Sequence, residues 1–304
     1  MSQTITPPPR QDREIGGGPK TVGSDRPIEV TTPGIFSNEF IQETLALTQR
    51  LFIQLQRRPT TLAAGVIQPL MWLILFGALF QNVPEGLFGT SQNYGQFLGA
   101  GVIVFTAFGG ALNAGLPVMF DREFGFLNRL LVAPLASRFS IVLASSLFIA
   151  ALSMIQTTVI VAASAFLGAG LPGIAGLSLV TAIVLILVLG VTGISLGLAF
   201  ALPGHVELIA VIFVTNLPLL FASTALAPLS FMPTWLQWVA SLNPLSYAIE
   251  PIRLVYTHAN WGITDVVLST PFADITLATA VLVLVGFDAI ALLGVRALLQ
   301  RTLA

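Results

Sequence analysis

The side chains that could do chemistry are few and widely separated. The 304-residue sequence has no cysteine and only two histidines, His205 and His258, which lie too far apart in sequence to suggest a metal-ligand cluster. Residues 16–21 are similar to a phosphate-binding loop, but Pro19 and Glu14 stand where that loop needs glycine. The sequence therefore predicts no catalytic, cofactor-binding or metal-binding site in this chain.

The scarcity of charge decides the class of protein. Charged residues make up 9% of the chain and hydrophobic residues 55%, whereas a soluble domain carries about 25% charged residues. The formal net charge is −1, from 13 Lys and Arg against 14 Asp and Glu, so there is no basic field suited to nucleic acid. We therefore predict an all-α integral membrane protein.

Six apolar segments are long enough to cross a membrane. A helix needs about 20 residues to cross about 30 Å of hydrocarbon. The predicted spans are residues 61–82, 97–119, 139–168, 174–202, 206–229 and 275–297. With six crossings both termini lie on one side, and 12 of the 13 cations lie there too, with Arg253 on the other side. The positive-inside rule then predicts cytoplasmic termini.

The part of the chain before the first span divides in two. Residues 1–34 are poor in large apolar side chains, so we predict a disordered cytoplasmic tail. Residues 35–60 place apolar side chains at helical spacing, with basic Arg50, Arg57 and Arg58 towards the end. We expect this amphipathic helix to lie in the headgroup plane, and an ordinary soluble helix is the alternative.

A charged and apolar segment joins the second and third predicted spans. The charges from Asp121 to Glu123 would favour a helix N-terminus, and Arg129 would suit its last turn. Pro134 would then stop the helix. We predict a short helix over residues 121–131, which could rest on the membrane surface or fill a groove in another protein.

A second unusual segment, residues 231–256, follows the fifth predicted span. It is too apolar for an exposed loop, and proline interrupts it too often for a span. The break at Asn243-Pro244 predicts two short helices that enter the outer leaflet and return, with aromatic residues at headgroup depth. The residues singled out in this hairpin are Pro233, Trp235, Asn243, Pro244, Tyr247 and Arg253.

Together the two segments are similar to a known family. Asp-Arg-Glu, then Gly, then Leu-x-x-Leu-Leu-x-x-Pro-Leu at Asp121–Leu135 resembles a signature of type-2 ABC export permeases. Met-Pro-x-Trp-Leu, Asn-Pro-Leu-Ser-Tyr and Arg at Met232–Arg253 resemble a second signature of that family. The resemblance covers about residues 37–300, and the daunorubicin-type drug-resistance branch is the most similar.

The resemblance implies a division of labour. Residues 61–304 would form a non-catalytic permease domain that pairs with a second copy in a bacterial-type inner membrane. Each copy would dock a separate cytoplasmic ATPase, which would hold ATP and Mg²⁺. The 35–60 helix would be the interfacial connecting helix, 121–131 the ATPase-coupling helix and 231–256 an external re-entrant hairpin. The coupling residues implied are Asp121, Arg122, Glu123, Phe124, Gly125, Leu127, Arg129, Leu130 and Pro134.

Asp288 keeps a second function open. It is the one ionisable side chain well placed within the predicted spans for an ATP-independent secondary carrier. The other interpretation is that Asp288 pairs with a basic group near the inner interface. A channel is disfavoured, because the polar residues of the spans are scattered singly.

The spans also favour an apolar substrate. Their side chains would offer a charged molecule few partners, so we expect export of a hydrophobic drug, a lipid or a lipid-linked glycoconjugate from the cytoplasm or inner leaflet. Sugar polymers stay open, because aromatic rings bind sugars. Phe76, Phe80, Phe105 and Phe108 could line such a path, although core packing is the other interpretation.

Overall fold

The computed structural model describes residues 38–57, 59–80, 82, 94–125, 139–258 and 260–302. The predicted tail, Arg58 and residues 126–131 of the predicted coupling helix lie outside these ranges. All the described residues belong to one contact unit, residues 33–304.

The described residues are almost entirely helical. In chain order the elements are α1 (Asn38–Arg57), α2 (Pro59–Leu79), α3 (Tyr94–Leu112), α4 (Gly115–Glu123), α5 (Phe139–Ser164) with the π-helical turn Ala165–Ala169, α6 (Ile174–Ala201), α7 (His205–Phe221), the 3₁₀ turn Leu229–Phe231, α8 (Thr234–Leu242), α9 (Pro244–Thr257), β1 (Val266–Ser269), β2 (Asp274–Thr276) and α10 (Leu277–Thr302).

Five helical segments are long and apolar enough to cross a membrane. They are Leu62–Leu79, Phe97–Glu123, Ser140–Leu167, Ile174–Ala201 and Leu277–Ala297. Five of the six predicted spans are therefore confirmed as apolar helices. The remaining one, α7, is apolar but has only 17 residues, so the count of six crossings stays a prediction.

The fifth predicted span is wrong at its C-terminal end. The helix was expected to continue to residue 229, but α7 ends at Phe221. The backbone turns at Ala222, and the Asn243 side chain donates to the carbonyl oxygens of Leu219 and Ala222 at 2.7 and 2.6 Å. These bonds replace the helical donors that the last carbonyls of α7 lack. The apolar stretch after Phe221 is thus a buried turn.

Helix α3 lies in the core and contacts α2, α5, α6 and α9. The backbone breaks between the end of α3 and the start of α4, and Ser195 of α6 bonds both sides of this break. Its Oγ donates to the Leu112 carbonyl at 2.6 Å and accepts from the Gly115 N–H at 2.9 Å. A Cβ on Gly115 would lie 2.4 Å from the Ser195 carbonyl oxygen, so this approach requires glycine. Segments α3 and α4 therefore pack closely against α6.

The predicted segment 35–60 contains the helix α1, which packs along α5, but residues 59 and 60 already belong to α2. Ser140 Oγ donates to Glu43 Oε1 at 2.6 Å, and the rings of Phe52 and Phe148 meet edge to face at 5.1 Å. One side of α1 is therefore held by the protein. A second apolar stripe on α1 stays exposed, at Ile41, Leu45 and Ile53. Its location in the headgroup plane stays a prediction.

The helical class is confirmed, but the all-α prediction missed a short β-ribbon. Strands β1 and β2 pair antiparallel, with Val266 opposite Thr276. Residues 275 and 276 were assigned to the last span and instead belong to β2, so α10 begins at Leu277. Strands this short carry little alternation of apolar and polar side chains, so the sequence pattern does not reveal them.

Candidate functional site

Asp121, Arg122 and Glu123, which we call the charged corner, end helix α4. They were expected to begin a helix, and this detail of the prediction is wrong. Gly125 follows with φ 74°, a left-handed conformation that glycine adopts at little cost, and its N–H bonds the Arg122 carbonyl at 3.3 Å. Carboxylates at a helix C-terminus meet the negative end of the macrodipole, so they need partners elsewhere.

Asp121 binds the interfacial helix candidate α1. Its Oδ2 and Oδ1 accept from Arg50 Nη1 and Nη2 at 2.8 and 2.9 Å, which is the two-bond geometry of a strong guanidinium–carboxylate pair. Both side chains are about a quarter exposed. Arg50 therefore joins α1 to the end of α4.

Arg122 caps the C-terminus of α6. Its Nη1 donates to the Ala199 carbonyl at 2.8 Å, and its Nη2 donates to those of Leu202 and Pro203 at 2.7 and 2.8 Å. These carbonyls end or follow α6, where the dipole favours a cation. A guanidinium with several donors in one plane suits this cluster of acceptors.

Glu123 caps the N-terminus of α7. Its Oε1 accepts from the His205 backbone N–H at 2.6 Å, and its Oε2 lies 2.5 Å from His205 Nδ1. The residue before α7 is Gly204, which has no side chain to supply a cap. A carboxylate is the favourable charge at a helix N-terminus, so α4 provides what α7 lacks.

The charged corner thus binds three different helices through three consecutive residues. The neighbouring Phe124 is 81% exposed, and its ring stacks against that of Phe120 with the centroids 6.1 Å apart. The partners Arg50 and His205 were not foreseen, although a Pro-Gly-His turn between two apolar runs marks the α6–α7 junction. The other predicted coupling residues, Leu127, Arg129, Leu130 and Pro134, lie outside the described residues.

The two short helices predicted in residues 231–256 are confirmed as α8 and α9. Pro233 precedes α8, and Asn243 caps α9 by accepting the Leu245 N–H on its Oδ1 at 3.0 Å. Pro244 fills the first position of α9, where a missing N–H costs nothing. Trp235 of α8 is 68% exposed, as an aromatic belt would require. The depth of α8 and α9 in a membrane stays a prediction.

Asn243, which caps α9, and Ser246 within α9 also bond the turn that follows α7. Besides the two bonds from Asn243, Ser246 Oγ accepts the Thr224 N–H at 3.3 Å. Tyr247 instead serves the hairpin itself, because its hydroxyl donates to the Ser241 carbonyl at 2.7 Å. The polar residues of this signature therefore bond backbone groups that would otherwise be buried without partners.

Arg253 of α9 is buried next to the turn that follows α7. It pairs with Glu250 one turn earlier on α9, and its Nη2 donates to the Thr224 carbonyl at 2.7 Å. The guanidinium lies 3.6 Å from the centre of the Phe97 ring, a cation–π contact with α3. Burial lowers the pKa of the Arg253 guanidinium, and the Glu250 carboxylate opposes that shift. Glu250 was not predicted from the sequence, although its spacing of three residues from Arg253 on a helix was a signal.

The four phenylalanines considered for a translocation path have different surroundings. Phe105 and Phe108 are buried in the core, which agrees with the packing interpretation. Phe76 and Phe80 are half-buried and continue as an aromatic series to α3, with centroids 6.3 Å apart and Phe80 4.6 Å from Tyr94. This series ties α2 to α3.

Asp288 lies on α10 against α6. Its Oδ1 is buried at the backbone of Gly190, so closely that a Cβ there would lie 1.9 Å from the carboxylate oxygen. The expected basic partner is not found, because none of the ion pairs in the described part of the chain involves Asp288. Glycine at position 190 makes room for this carboxyl group.

The five helical segments that are long and apolar enough to cross a membrane define a multi-pass integral membrane protein. The sequence matches the ABC-2 type transporter family over residues 42–256, which is more than half of the chain. The chain therefore belongs to that family and is an ABC transporter permease. The resemblance to type-2 ABC permeases is confirmed.

Individual relatives agree with this family. The chain is 55% identical over 264 residues to a putative transport permease ycf38 of Porphyra purpurea, covering 86% of this chain and 90% of the relative. It is 52% identical to the protein described by the same name in Cyanophora paradoxa, with 86% and 90% covered. A probable doxorubicin resistance ABC transporter permease protein DrrC of Mycobacterium tuberculosis is 26% identical, with 70% and 76% covered.

Proposed function

We propose that the chain is the transmembrane subunit of an ATP-driven exporter, in which two copies of the permease each bind a separate ATPase that holds ATP and Mg²⁺. The observation that carries this proposal is the charged corner next to the exposed Phe124. The three charges bind α1, α6 and α7 within the chain, so a partner seated on Phe124 would act on a point connected to three helices.

The chemistry of Phe124 supports a protein partner at this point. An apolar ring that is 81% exposed beside a charged cluster is a typical anchor for a pocket in another protein. In the six-span topology 12 of the 13 cations lie on the same side as the charged corner and the termini, so this side is the cytoplasmic one in our proposal. Helices α8 and α9 then lie in the outer leaflet, in a bacterial-type inner membrane.

The proposed substrate is hydrophobic, amphiphilic or lipid-linked. Helices α2 and α7 leave large apolar side chains uncovered, including Leu75, Phe213 and Val214, which are 61%, 74% and 72% exposed. A second copy, lipid and an apolar substrate are the surroundings that such faces suit. The name of the Mycobacterium relative, which mentions doxorubicin resistance, is compatible with an amphiphilic drug.

The proposal is tested by purifying the tagged permease from cells that express its ATPase. An ATP-hydrolysing subunit should co-purify, and the permease alone should not hydrolyse ATP. Phe124→Ala should weaken the association roughly tenfold or more, as loss of an aromatic anchor does. Phe166→Ala is the matched control. Phe166 is 93% exposed, but it lies in the turn after α5, at the end of that helix that is far from the charged corner. ATP hydrolysis by the permease alone, or equal loss in both variants, contradicts the proposal.

An ATP-independent carrier is the second candidate, and the observation that favours it is that Asp288 forms no ion pair among the described residues. A carrier would need the Asp288 carboxylate to bind and release a proton. Under the exporter proposal, Asp288→Asn keeps ATP-dependent efflux of a fluorescent amphiphile from vesicles. Efflux that needs no ATP, stops when the proton gradient is dissipated and is lost in Asp288→Asn would establish the carrier instead.

A further inference from the structure

Helix α7 is held at its two ends by side chains from two other parts of the chain. At its N-terminus, Glu123 of α4 accepts the His205 N–H at 2.6 Å. At its C-terminus, Asn243 donates to the carbonyls of Leu219 and Ala222 at 2.7 and 2.6 Å. Helix ends have unpaired donors and acceptors, so these bonds hold the groups that the helix itself cannot satisfy.

Between its ends α7 is packed on one side only. Leu208, Ile212 and Leu220 are buried, whereas Phe213 and Val214 in the middle of the helix are 74% and 72% exposed. Helix α7 contacts α4, α3 and α6, and no other helix of the described residues shares an extensive contact with it. Its position along its own axis is therefore determined mainly at the two ends.

The C-terminal end of α7 leads directly into the α8–α9 hairpin. Thr224, just after α7, donates its N–H to Ser246 Oγ and accepts from Arg253 Nη2, so both bonds join it to α9. A 17-residue helix is about 25 Å long and resists compression, because its hydrogen bonds run along the axis. A displacement at His205 is thus carried to α9.

We propose that Glu123 and Asn243 are positioning residues that clamp the two ends of α7, so that α7 transmits movement of the charged corner to the α8–α9 hairpin. This inference rests on the proposed function, since an ATPase at Phe124 would supply the movement. Glu123 therefore acts through its contacts within the permease. Movement of the ATPase is transmitted to the α8–α9 hairpin through α7 and Asn243.

The chain offers variants that separate the clamps from other roles. Glu123→Ala removes the cap of α7, whereas Glu123→Gln keeps an acceptor of the same size. Asn243→Asp keeps the Oδ1 that caps α9 and removes both donors to α7. The matched controls are Glu39→Ala, on the exposed start of α1, and Asn113→Asp, just after α3, whose amide donates to the Gly109 carbonyl of that helix.

The clamps are tested first on the purified full-length permease without ATPase, by amide hydrogen exchange. Glu123→Ala should speed exchange at residues 205–209 roughly tenfold or more, because the hydrogen bond that caps the helix end is lost. Asn243→Asp should do the same at residues 219–224, while Glu123→Gln and both controls stay close to the wild type. Unchanged exchange at the matching end of α7 in either clamp variant overturns the inference.

Transmission is tested in the permease–ATPase complex. The chain has no cysteine, so Thr234→Cys at the start of α8 gives a single labelling site. Its labelling rate by an impermeant maleimide should differ between nucleotide-free and vanadate-arrested complex, and Glu123→Ala and Asn243→Asp should abolish that difference while still binding the ATPase. A difference that persists in both variants overturns the inference. If no ATPase co-purifies, the proposed function fails. The hydrogen-exchange measurement does not need the ATPase, so it still tests whether Glu123 and Asn243 hold the ends of α7.

Discussion

Replacing Arg253 by methionine should destabilise the protein more than replacing both members of its ion pair. Arg253→Met keeps most of the apolar stem but leaves the Glu250 carboxylate without its cation. The side chains of Arg253 and Glu250 are only 7% and 12% exposed, so water cannot take over. Removing one partner of a buried pair costs about 3–5 kcal/mol.

The double variant Arg253→Met/Glu250→Gln removes the stranded charge. What remains is the loss of the bonds to the Thr224 carbonyl at 2.7 Å and to the Phe97 carbonyl at 3.4 Å, about 1–2 kcal/mol together, and of the contact with the Phe97 ring, about 0.5–2 kcal/mol. The single variant loses the same contacts and also leaves the charge stranded, so the double variant should be more stable than the single one by about 1 kcal/mol.

Unfolding of the purified chain by denaturant in mild detergent, followed by tryptophan fluorescence, measures these differences. Glu250→Gln alone completes the double-mutant cycle and gives the coupling energy of the pair. Equal stability of the single and double variants would refute the reasoning, because the Glu250 carboxylate would then have no need of Arg253.

Three further predictions concern the charged corner and the hairpin. Exchanging the charges in Arg50→Asp/Asp121→Arg should recover most of the roughly 1 kcal/mol lost by either change alone, and unfolding of the three variants checks this. Gly125→Ala should cost about 1 kcal/mol, because φ is 74° there, and an unchanged unfolding midpoint would contradict a left-handed turn at this residue. Single cysteines at Thr234 and Thr257 should both react with an impermeant reagent from outside intact cells, whereas reaction of Thr257→Cys only after permeabilisation would mean that the hairpin crosses the membrane.

The positions of the long helices could be predicted because they depend on local sequence. Twenty consecutive apolar residues favour a helix in hydrocarbon wherever the rest of the chain lies, so α2, α5, α6 and α10 were anticipated within a few residues. Asn243-Pro244 predicted the boundary of α8 and α9 for the same reason, since a capping side chain followed by proline starts a helix locally.

The prediction failed where a distant side chain decides the backbone. The apolar residues after Phe221 predict a longer helix. The Asn243 amide instead donates to the carbonyls of Leu219 and Ala222, and α7 ends there. The charges from Asp121 to Glu123 look like a helix start, yet they end α4, because their partners lie on other helices.

The sequence by itself determined the membrane class, the apolar helices, the two signature segments and through them the family, because composition and short spacings are readable along the chain. Only the tertiary structure decided the partner of each charge. Arg50 and Asp121 are 71 positions apart, and Glu123 and His205 are 82 apart. Hydrogen bonds act over about 3 Å in space, so their partners depend on how the helices pack and not on spacing along the chain.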